Sequence, residues 1–379
     1  MHEALFKPVS LGALALTNRI VMAPMTRNRA QADGVPSEIM ADYYGARAEA
    51  GLIVAEGTWP TVSGQAYCRQ PGLETLAHIA GWRRVTDAVH ARGGIIVLQI
   101  MHAGRIGSAQ IKPAGVETVA PSALRAAGQV FTDHAGLQPF DEPRMLSTEE
   151  VRGIVREHRL AALRARKAGF DGVELHGTSG YLPMQFMCSG TNQRTDLYGG
   201  SVGNRIRFAV ECLAGMADGI GADRVGLRIN PGNSFNDTSD DDPLGTHVAL
   251  MQRAGALNLA YLHVMRSPDP AIDAFALARE HFGERLILND GLNAASGVQL
   301  IAGGHAQAVA FARDFIANPD LPRRLREGLP LARFDRKTLY TAGPAGYADY
   351  PPAAAEDAIG AIDTAASEAG ASPRSGCAA

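Results

Sequence analysis

The chain has 379 residues, of which 46% are hydrophobic, and its 36 Lys and Arg against 39 Asp and Glu give a net charge of −3. This balance gives no support for binding to nucleic acid or to a membrane surface, and we expect neither partner. No apolar run reaches the roughly 20 residues that span a bilayer, and the start, MHEALFKPVS, lacks the apolar core of a secretion signal, so we predict a cytoplasmic protein.

Short apolar runs recur along the chain, and amphipathic segments separate them. Runs that are apolar without alternation are typical of strands covered on both faces. The predicted strands are IVMAP (20–24), LIVAEGT (52–58), IIVLQIMH (95–102), GVELHG (172–177), VGLRIN (225–230), YLHVMR (261–266), LILND (286–290) and AVAFAR (308–313). The predicted helices lie near 37–50, 78–92, 148–168, 201–219, 245–257, 270–282, 293–303 and 315–328. Eight strand–helix units predict an α/β fold of the (β/α)8 TIM-barrel type.

A doubly wound sheet is the alternative fold, but no G-x-G-x-x-G follows a strand, so the nucleotide fingerprint of that fold is missing. Residues 1–19 predict an N-terminal hairpin that closes the bottom of the barrel. Residues 103–147 form a long insertion after the third strand, and loops of this length are usually functional. We predict one domain over residues 1–355 and a disordered tail over 356–379, where the composition is too polar to fold alone.

The segment GVELHGTSGY (172–181) runs from a buried strand into a loop that carries His176 and Tyr181. This places a hydrogen-bond donor and a weak acid at the C-terminal end of a strand, where barrel enzymes carry their active sites. Taken alone, the pair would more often be a core histidine and a core tyrosine.

Several strand-end motifs taken together resemble the Old Yellow Enzyme family of flavin-dependent ene reductases. The resemblance runs from about Leu5 to Pro351 and is carried by LFKPVSLGALALTNRIVMAPMTRNRA, YYGARAEAGLIVAEGT, QIMHAGR, AGFDGVELHGTSGYL, NQRTDLYGGSVGNR, VAFARDFIANPDLP and GYADYP. It implies a TIM barrel with non-covalent FMN, which NADPH or NADH reduces and an electron-poor alkene reoxidises in a ping-pong reaction. The protein would bind and orient the flavin and the substrate, and its charges would tune the reactivity of the flavin.

A barrel phosphate site commonly lies where the seventh and eighth strands end, and Arg313 there offers a bidentate fork. Without the resemblance, Arg313 could be a salt-bridge residue and Gln99 a satisfied core amide. The resemblance implies that Gln99 contacts the flavin pyrimidine edge, that Arg228 faces the negative charge of the reduced flavin, and that Thr26 reaches O4. The complete set of expected cofactor contacts is Pro24, Met25, Thr26, Gly57, Gln99, Arg228, Gly291, Leu292, Ala312 and Arg313, with Ala312 in place of the usual glycine.

The resemblance also assigns the reacting groups. His176 would donate a hydrogen bond to the substrate's carbonyl or nitro oxygen and stabilise the charge that develops there. Tyr181 would deliver a proton to the α-carbon, a step that a phenol can perform because the enolate is more basic. Ser179 stands where the family has Asn or His, and Met101 where it often has Trp. Tyr340 would cap the substrate pocket, or would tie the C-terminal segment to the barrel.

The predicted function is therefore reduction of α,β-unsaturated carbonyl or nitro compounds by an FMN enzyme of the NADPH-dehydrogenase type. Alternatives are a nitrate-ester, nitroaromatic or quinone reductase on the same scaffold, a flavin-free phosphate-binding barrel, and a non-enzymatic flavin-binding protein. The four lysines all lie outside the predicted strands, which argues against a Schiff-base enzyme. His102 and His263 lack metal-ligand spacing, so we expect no metal. The scattered cysteines are interpreted as reduced thiols, and the chain as a monomer or homodimer.

Overall fold

A computed structural model describes residues 2–354. The tail predicted over 356–379 lies outside the described residues. Within them, eight parallel strands, at 20–22, 52–58, 96–100, 172–176, 225–229, 261–265, 286–289 and 308–311, form a closed barrel in this order, which confirms the predicted (β/α)8 architecture. The strands are β1 (Val9–Leu11), β2 (Leu14–Leu16), β3 (Ile20–Met22), β4 (Leu52–Thr58), β5 (Ile96–Ile100), β6 (Val119–Ala120), β7 (Gln129–Thr132), β8 (Gly136–Pro139), β9 (Arg144–Met145), β10 (Gly172–His176), β11 (Val225–Ile229), β12 (Tyr261–Met265), β13 (Leu286–Asn289) and β14 (Ala308–Phe311).

Helices follow the barrel strands and cover them from outside. The α-helices are α1 (Glu38–Gly45), α2 (Leu76–His90), α3 (Thr148–Lys167), α4 (Leu182–Met187), α5 (Val202–Arg205), α6 (Arg207–Ile220), α7 (Pro243–Ala256), α8 (Ala274–His281), α9 (Ala294–Ala302), α10 (Asp314–Ala317) and α11 (Leu321–Glu327). Short 3-10 helices cover Glu3–Phe6, Val62–Gly64, Ala222–Arg224 and Arg336–Thr338. In residues 2–354, no helix has both the length and the apolar character needed to cross a bilayer.

The barrel strands are buried on both faces, which explains their continuous apolar runs. In β4, Ile53 and Ala55 belong to the large core between barrel and helices, whereas Leu52 and Val54 point into the barrel. The antiparallel hairpin β1–β2 adds leucines to that inner cluster. The predicted hairpin therefore plugs the barrel at its N-terminal end and leaves the C-terminal end for the site.

The predicted insertion after β5 contains the small sheets β6–β9 and β7–β8. Part of it packs against the barrel mouth, because Val130 and Phe140 share an apolar cluster with Met101 and Tyr181. The insertion therefore forms one wall beside the strand ends.

Several helix boundaries differ from the predictions: the helix predicted near 201–219 divides into α5 and α6, the one predicted near 37–50 ends at Gly45, and α4 was not predicted. Two further differences have a local chemical cause. The segment predicted near 315–328 divides into α10 and α11, because Pro319 pushes Asn318 out of the helical region, to φ −128° and ψ 82°. The segment predicted from residue 270 begins only at Ala274, where the side chain of Asp273 accepts from the backbone N–H groups of Phe275 and Ala276. The helix predicted near 148–168 is α3, and Ser147 and Glu150 form a capping box at its start.

Candidate functional site

Neighbouring strands bring polar side chains into register at the C-terminal half of the barrel. Glu174 on β10 pairs with Gln99 on β5, and His176 pairs with Arg228 on β11. Arg228 in turn pairs with His263 on β12. Glu174, Gln99, Arg228 and His263 therefore form a polar layer directly below the barrel mouth, and His176, two residues beyond Glu174 on β10, lies above it.

Glu174 is the centre of this layer and is fully buried. Its Oε1 accepts a 2.8 Å hydrogen bond from Nε2 of Gln99, and its Oε2 lies 2.9 Å from Nδ1 of His263. Burial opposes its ionisation, but His263, Arg228 and Gln99 together lower the pKa of Glu174. The ionised carboxylate of Glu174 thereby fixes the orientation of the Gln99 amide, with the amide nitrogen facing Glu174. The Oε1 atom of Gln99 therefore remains for a ligand.

Arg228 supplies a buried cation at the same level. Its Nη2 donates to Oδ1 of Asn289 at 2.8 Å and its Nη1 to the carbonyl oxygen of Pro24 at 3.4 Å. Its Nε has no hydrogen-bond partner among the described residues. Burial lowers the pKa of Arg228, and Glu174 and Asp290 oppose that shift. A buried guanidinium with a spare donor is suited to an anionic or polar ligand.

The ends of β13 and β14 enclose a cavity of about 370 Å³ beside Arg228. All four residues expected to bind phosphate line it: Gly291, Leu292, Ala312 and Arg313. The backbone before α9 turns through consecutive left-handed residues, Asp290 at φ 76° and Gly291 at φ 66°, a conformation that favours glycine. Arg313 is solvent-exposed, so its guanidinium is free to meet a phosphate.

Next to β14 in the barrel, the loop after β3 carries Pro24, Met25 and Thr26, of which Met25 and Thr26 are half-buried. Gly57 on β4 stands against Met101, since a Cβ at this glycine would lie 2.6 Å from the Met101 sulfur. A side chain at Gly57 would therefore displace Met101, and the backbone there stays open to a flat ligand.

His176 and Tyr181 lie together above this layer, with ring centroids 5.0 Å apart. Burial, helped by Arg228 and His263, lowers the pKa of His176 well below its usual value. The imidazole is therefore neutral at physiological pH, and its Nδ1 has no partner among the described residues. Burial raises the pKa of Tyr181 well above 10, so the phenol keeps its proton. The site presents an uncharged donor beside a protonated acid.

Ser179 lies between His176 and Tyr181 in the sequence, and its backbone is in the left-handed conformation, with φ 59°. Its carbonyl oxygen accepts a 2.8 Å hydrogen bond from Nδ2 of Asn236. Asn adopts positive φ more readily than Ser does, so Ser is the less favourable residue for this backbone.

Tyr340 is less enclosed than expected, with 60% of its surface exposed. Its segment is anchored by two buried arginines, since Arg27 and Arg29 donate to the carbonyl oxygens of residues 338, 339, 343, 345 and 346. Tyr340 lies close enough to Tyr67 and Tyr181 to raise the pKa of both phenols. The structure therefore ties the C-terminal segment to the barrel and holds Tyr340 at the mouth without burying it.

Glu56, next to Gly57, is a fully buried carboxylate that the sequence analysis did not single out. It accepts from the backbone N–H of Arg27 at 3.2 Å and from the Tyr44 hydroxyl at 3.1 Å. Burial nevertheless raises the pKa of Glu56 to about 7. It braces the loop that carries Thr26 against β4.

This raised pKa predicts a pH-dependent contribution to stability. The folded state holds the Glu56 proton more tightly than the unfolded state, so stability falls as pH rises from about 4.5 to 7, by about 3 kcal/mol in total. Glu56→Gln should remove this pH dependence. The free energy of unfolding of the variant, relative to that of the natural protein, should therefore increase between pH 5 and pH 8. Urea unfolding at both pH values measures this gain. Glu49→Gln, on the surface, is the control, and equal gains in both variants would contradict the assignment.

Sequence reasoning missed several residues that organise the mouth. Glu174 and Asn289 sit inside predicted strands, and a carboxylate in an otherwise apolar strand was the available signal. Tyr67, Gln70 and Asn236 come from loops, where no pattern predicts which side chain reaches the site. His102 and His263, considered as metal ligands, are bonded instead to Ser63 and Glu174. No cluster of three or more His, Cys, Asp or Glu suited to a metal ion occurs in residues 2–354.

Comparison with known proteins places this geometry in context. A family model described as the NADH:flavin oxidoreductase / NADH oxidase family matches residues 4–332. A probable flavin mononucleotide-dependent alkene reductase of Leishmania infantum is 41% identical over 355 residues, covering 92% of this chain and 97% of that protein. The 12-oxophytodienoate reductase 1 of Oryza sativa subsp. japonica is 39% identical over 357 residues, covering 92% of each chain.

Solved structures are similar over the same length. Morphinone reductase in complex with tetrahydroNAD aligns with a TM-score of 0.89 and 42% identity, covering 93% of this chain and 98% of that one. The similarity thus extends over the barrel, the insertion and the mouth.

Proposed function

Because the chain belongs to the NADH:flavin oxidoreductase / NADH oxidase family, we propose that it is an FMN-dependent enzyme that takes hydride from NAD(P)H and reduces activated C=C bonds. The substrates are α,β-unsaturated carbonyl or nitro compounds. The observation that carries the proposal is the barrel mouth, where a neutral His176 and a protonated Tyr181 stand over a buried layer of polar groups.

The residues present fit FMN. The cavity between β13 and β14 has a left-handed glycine turn and an exposed Arg313 for a phosphate. The free Nε of Arg228 and the outward Oε1 of Gln99 offer one donor and one acceptor to the pyrimidine edge of an isoalloxazine. Gly57 leaves a flat approach over β4. Pro24, Met25 and Thr26, on the neighbouring loop after β3, would also contact the ring.

When bound, FMN supplies hydride chemistry, accepting hydride from a nicotinamide and passing it to the alkene β-carbon. His176 would hold the substrate oxygen through an N–H donor and stabilise its developing charge. Tyr181 would give its proton to the α-carbon. Ser179, Met101 and Tyr340 would shape the pocket around the substrate.

We extend the proposal to the NADPH-dehydrogenase type and to a cytoplasmic location. The free thiols of Cys68, Cys188 and Cys212 support the second point, since disulfides are rare in reducing compartments. We propose residues 1–355 as one domain.

The direct test of the function is anaerobic: the purified protein should be yellow, bleach with NAD(P)H, and regain colour with 2-cyclohexenone. A colourless protein that FMN does not reconstitute would contradict it.

The Ser179→Asn variant should bind para-substituted phenols more tightly. An Asn side chain restores a second donor beside His176 and suits the left-handed backbone at φ 59°. We expect a gain of about 1 kcal/mol, or roughly fivefold in affinity, typical of one added hydrogen bond. Spectral titration of the flavin enzyme measures it. Unchanged phenol affinity would mean that residue 179 does not line the oxygen pocket.

A further inference from the structure

Tyr67 occupies a position that the proposed roles leave unexplained. It lies in the loop after β4, far from Tyr181 in sequence, yet the two phenol oxygens are 2.8 Å apart. Burial raises the pKa of both phenols, so both carry protons at neutral pH. The two hydroxyl groups must share one hydrogen bond, with one donating and the other accepting.

The Tyr67 loop is held rigidly against the predicted ring contact on β4. The fully buried Gln70 accepts from the backbone N–H groups of Ala66 and Tyr67, at 2.8 and 3.4 Å. Its Nε2 donates to the carbonyl oxygen of Gly57 at 2.8 Å. One amide side chain therefore fixes the distance between the Tyr67 backbone and β4. Trp59, at the start of this loop, packs against Gly34 and Gly72.

The surroundings of the two oxygens also differ in access to water. Tyr181 is 7% exposed, whereas Tyr67 is half-buried and lies near the exposed Tyr340. A proton lost from Tyr181 can thus be replaced most directly through Tyr67.

We propose that Tyr67 is the positioning residue for proton donation by Tyr181, an inference that rests on the proposed function. In the step, the O–H bond of Tyr181 breaks and its proton bonds to the substrate α-carbon, whose electron pair forms the new C–H bond. The Tyr67 hydroxyl turns its hydrogen toward the resulting phenolate and stabilises it. Tyr67 then passes that proton to Tyr181 and takes another from water, so both phenols are restored.

The amide of Asn236 completes the arrangement. Its Nδ2 donates to the carbonyl oxygen of Ser179. Burial raises the pKa of Tyr181, as does Tyr67 while it accepts the hydrogen bond from Tyr181, whereas Asn236 lowers that pKa. The phenolate of Tyr181 would therefore meet donors from two loops, after β4 and after β11. The first proton lost by the Tyr67–Tyr181 pair should leave more easily than it would from Tyr181 alone.

A double-mutant cycle with Tyr67→Phe, Tyr181→Phe and the double variant tests the proposal. Tyr67→Phe should lower kcat for 2-cyclohexenone about tenfold with little change in KM, as expected for losing one hydrogen bond to a charged oxygen. In the Tyr181→Phe background the same change should have no further effect, because Tyr67 acts only through Tyr181. Additive losses would overturn the proposal.

Two further measurements and a control variant distinguish a role of Tyr67 in proton donation by Tyr181 from a role in packing, and from failure of the proposed function. Ultraviolet titration of the FMN-free protein should show the first ionisation of this pair at higher pH in Tyr67→Phe, and an unchanged or lower value would overturn the proposal. Quinone reduction, which protonates oxygen and not carbon, should stay unchanged in Tyr67→Phe, and an equal loss there would indicate a packing role. Tyr198→Phe, which removes a buried hydroxyl bonded to Glu211, is the control.

If the natural protein does not reduce enones, the proposed function itself is refuted. If the natural protein reduces enones and Tyr67→Phe does so equally well, only the inference about Tyr67 is refuted.

Discussion

Replacing Tyr181 by Phe should reduce the rate of enone reduction by at least about a hundredfold, the lower end of what a positioned general acid contributes. The variant keeps the ring that packs against His176 and Met101 and loses only the hydroxyl. Because that hydroxyl is not needed for hydride transfer from NAD(P)H, flavin reduction should change by less than about twofold. Anaerobic stopped-flow spectroscopy of the two half-reactions separates these effects.

Tyr198→Phe serves again as the matched control, since its hydroxyl bonds to Glu211 outside the mouth. It should leave both half-reactions unaltered. Unchanged enone turnover in Tyr181→Phe would exclude Tyr181 as the proton donor. An equal slowing of flavin reduction would show that the hydroxyl holds the nicotinamide or the ring and does not act as the acid.

The second large effect is expected at Glu174. Glu174→Gln removes the carboxylate that balances Arg228 inside the barrel and that orients Gln99. Glu174 acts on Arg228 through space and not by direct contact. Removing one of two opposite buried charges typically costs about 3–5 kcal/mol, because the other charge stays buried and uncompensated. We expect that loss in the free energy of unfolding of the FMN-free protein, measured by urea denaturation. We also expect weaker FMN binding, since the Gln99 amide is then free to rotate.

An exposed carboxylate provides the control for this prediction. Glu149→Gln breaks ion pairs with Arg152 and Arg156 on the surface of α3, and such pairs contribute less than about 1 kcal/mol. If the two variants lost equal stability, or if Glu174→Gln bound FMN as tightly as the natural protein, the buried layer would not organise the flavin site.

The barrel could be predicted from the sequence because strands buried on both faces leave continuous apolar runs, and Ser147 and Glu150 mark the start of α3 at the predicted residue. The division between α10 and α11 was missed, although Pro319 was visible, because its effect on Asn318 depends on local backbone geometry. The positions of His176 and Arg228 followed from their places at strand ends, where register aligns them.

The remaining part of the site depends on contacts between distant loops. Nothing in the sequence pairs Tyr67 with Tyr181, since 114 residues separate them and no periodicity relates them. Glu174 stands out as a carboxylate in an apolar strand, but its role could not be predicted because its partners Gln99 and His263 lie on other strands. A resemblance indicates which residues contact a cofactor, whereas the orientation of the Gln99 amide follows only from the hydrogen bond that Glu174 accepts.

The most direct test of the account is one anaerobic experiment on the purified holoprotein. NAD(P)H is added until the yellow colour is lost, and 2-cyclohexenone is then added in measured amounts. We predict that colour returns fully, with one equivalent of saturated ketone formed per flavin. A flavin that is bleached by NAD(P)H but recovers its colour only with oxygen, and forms no saturated ketone, would contradict the claim that this barrel reduces activated alkenes.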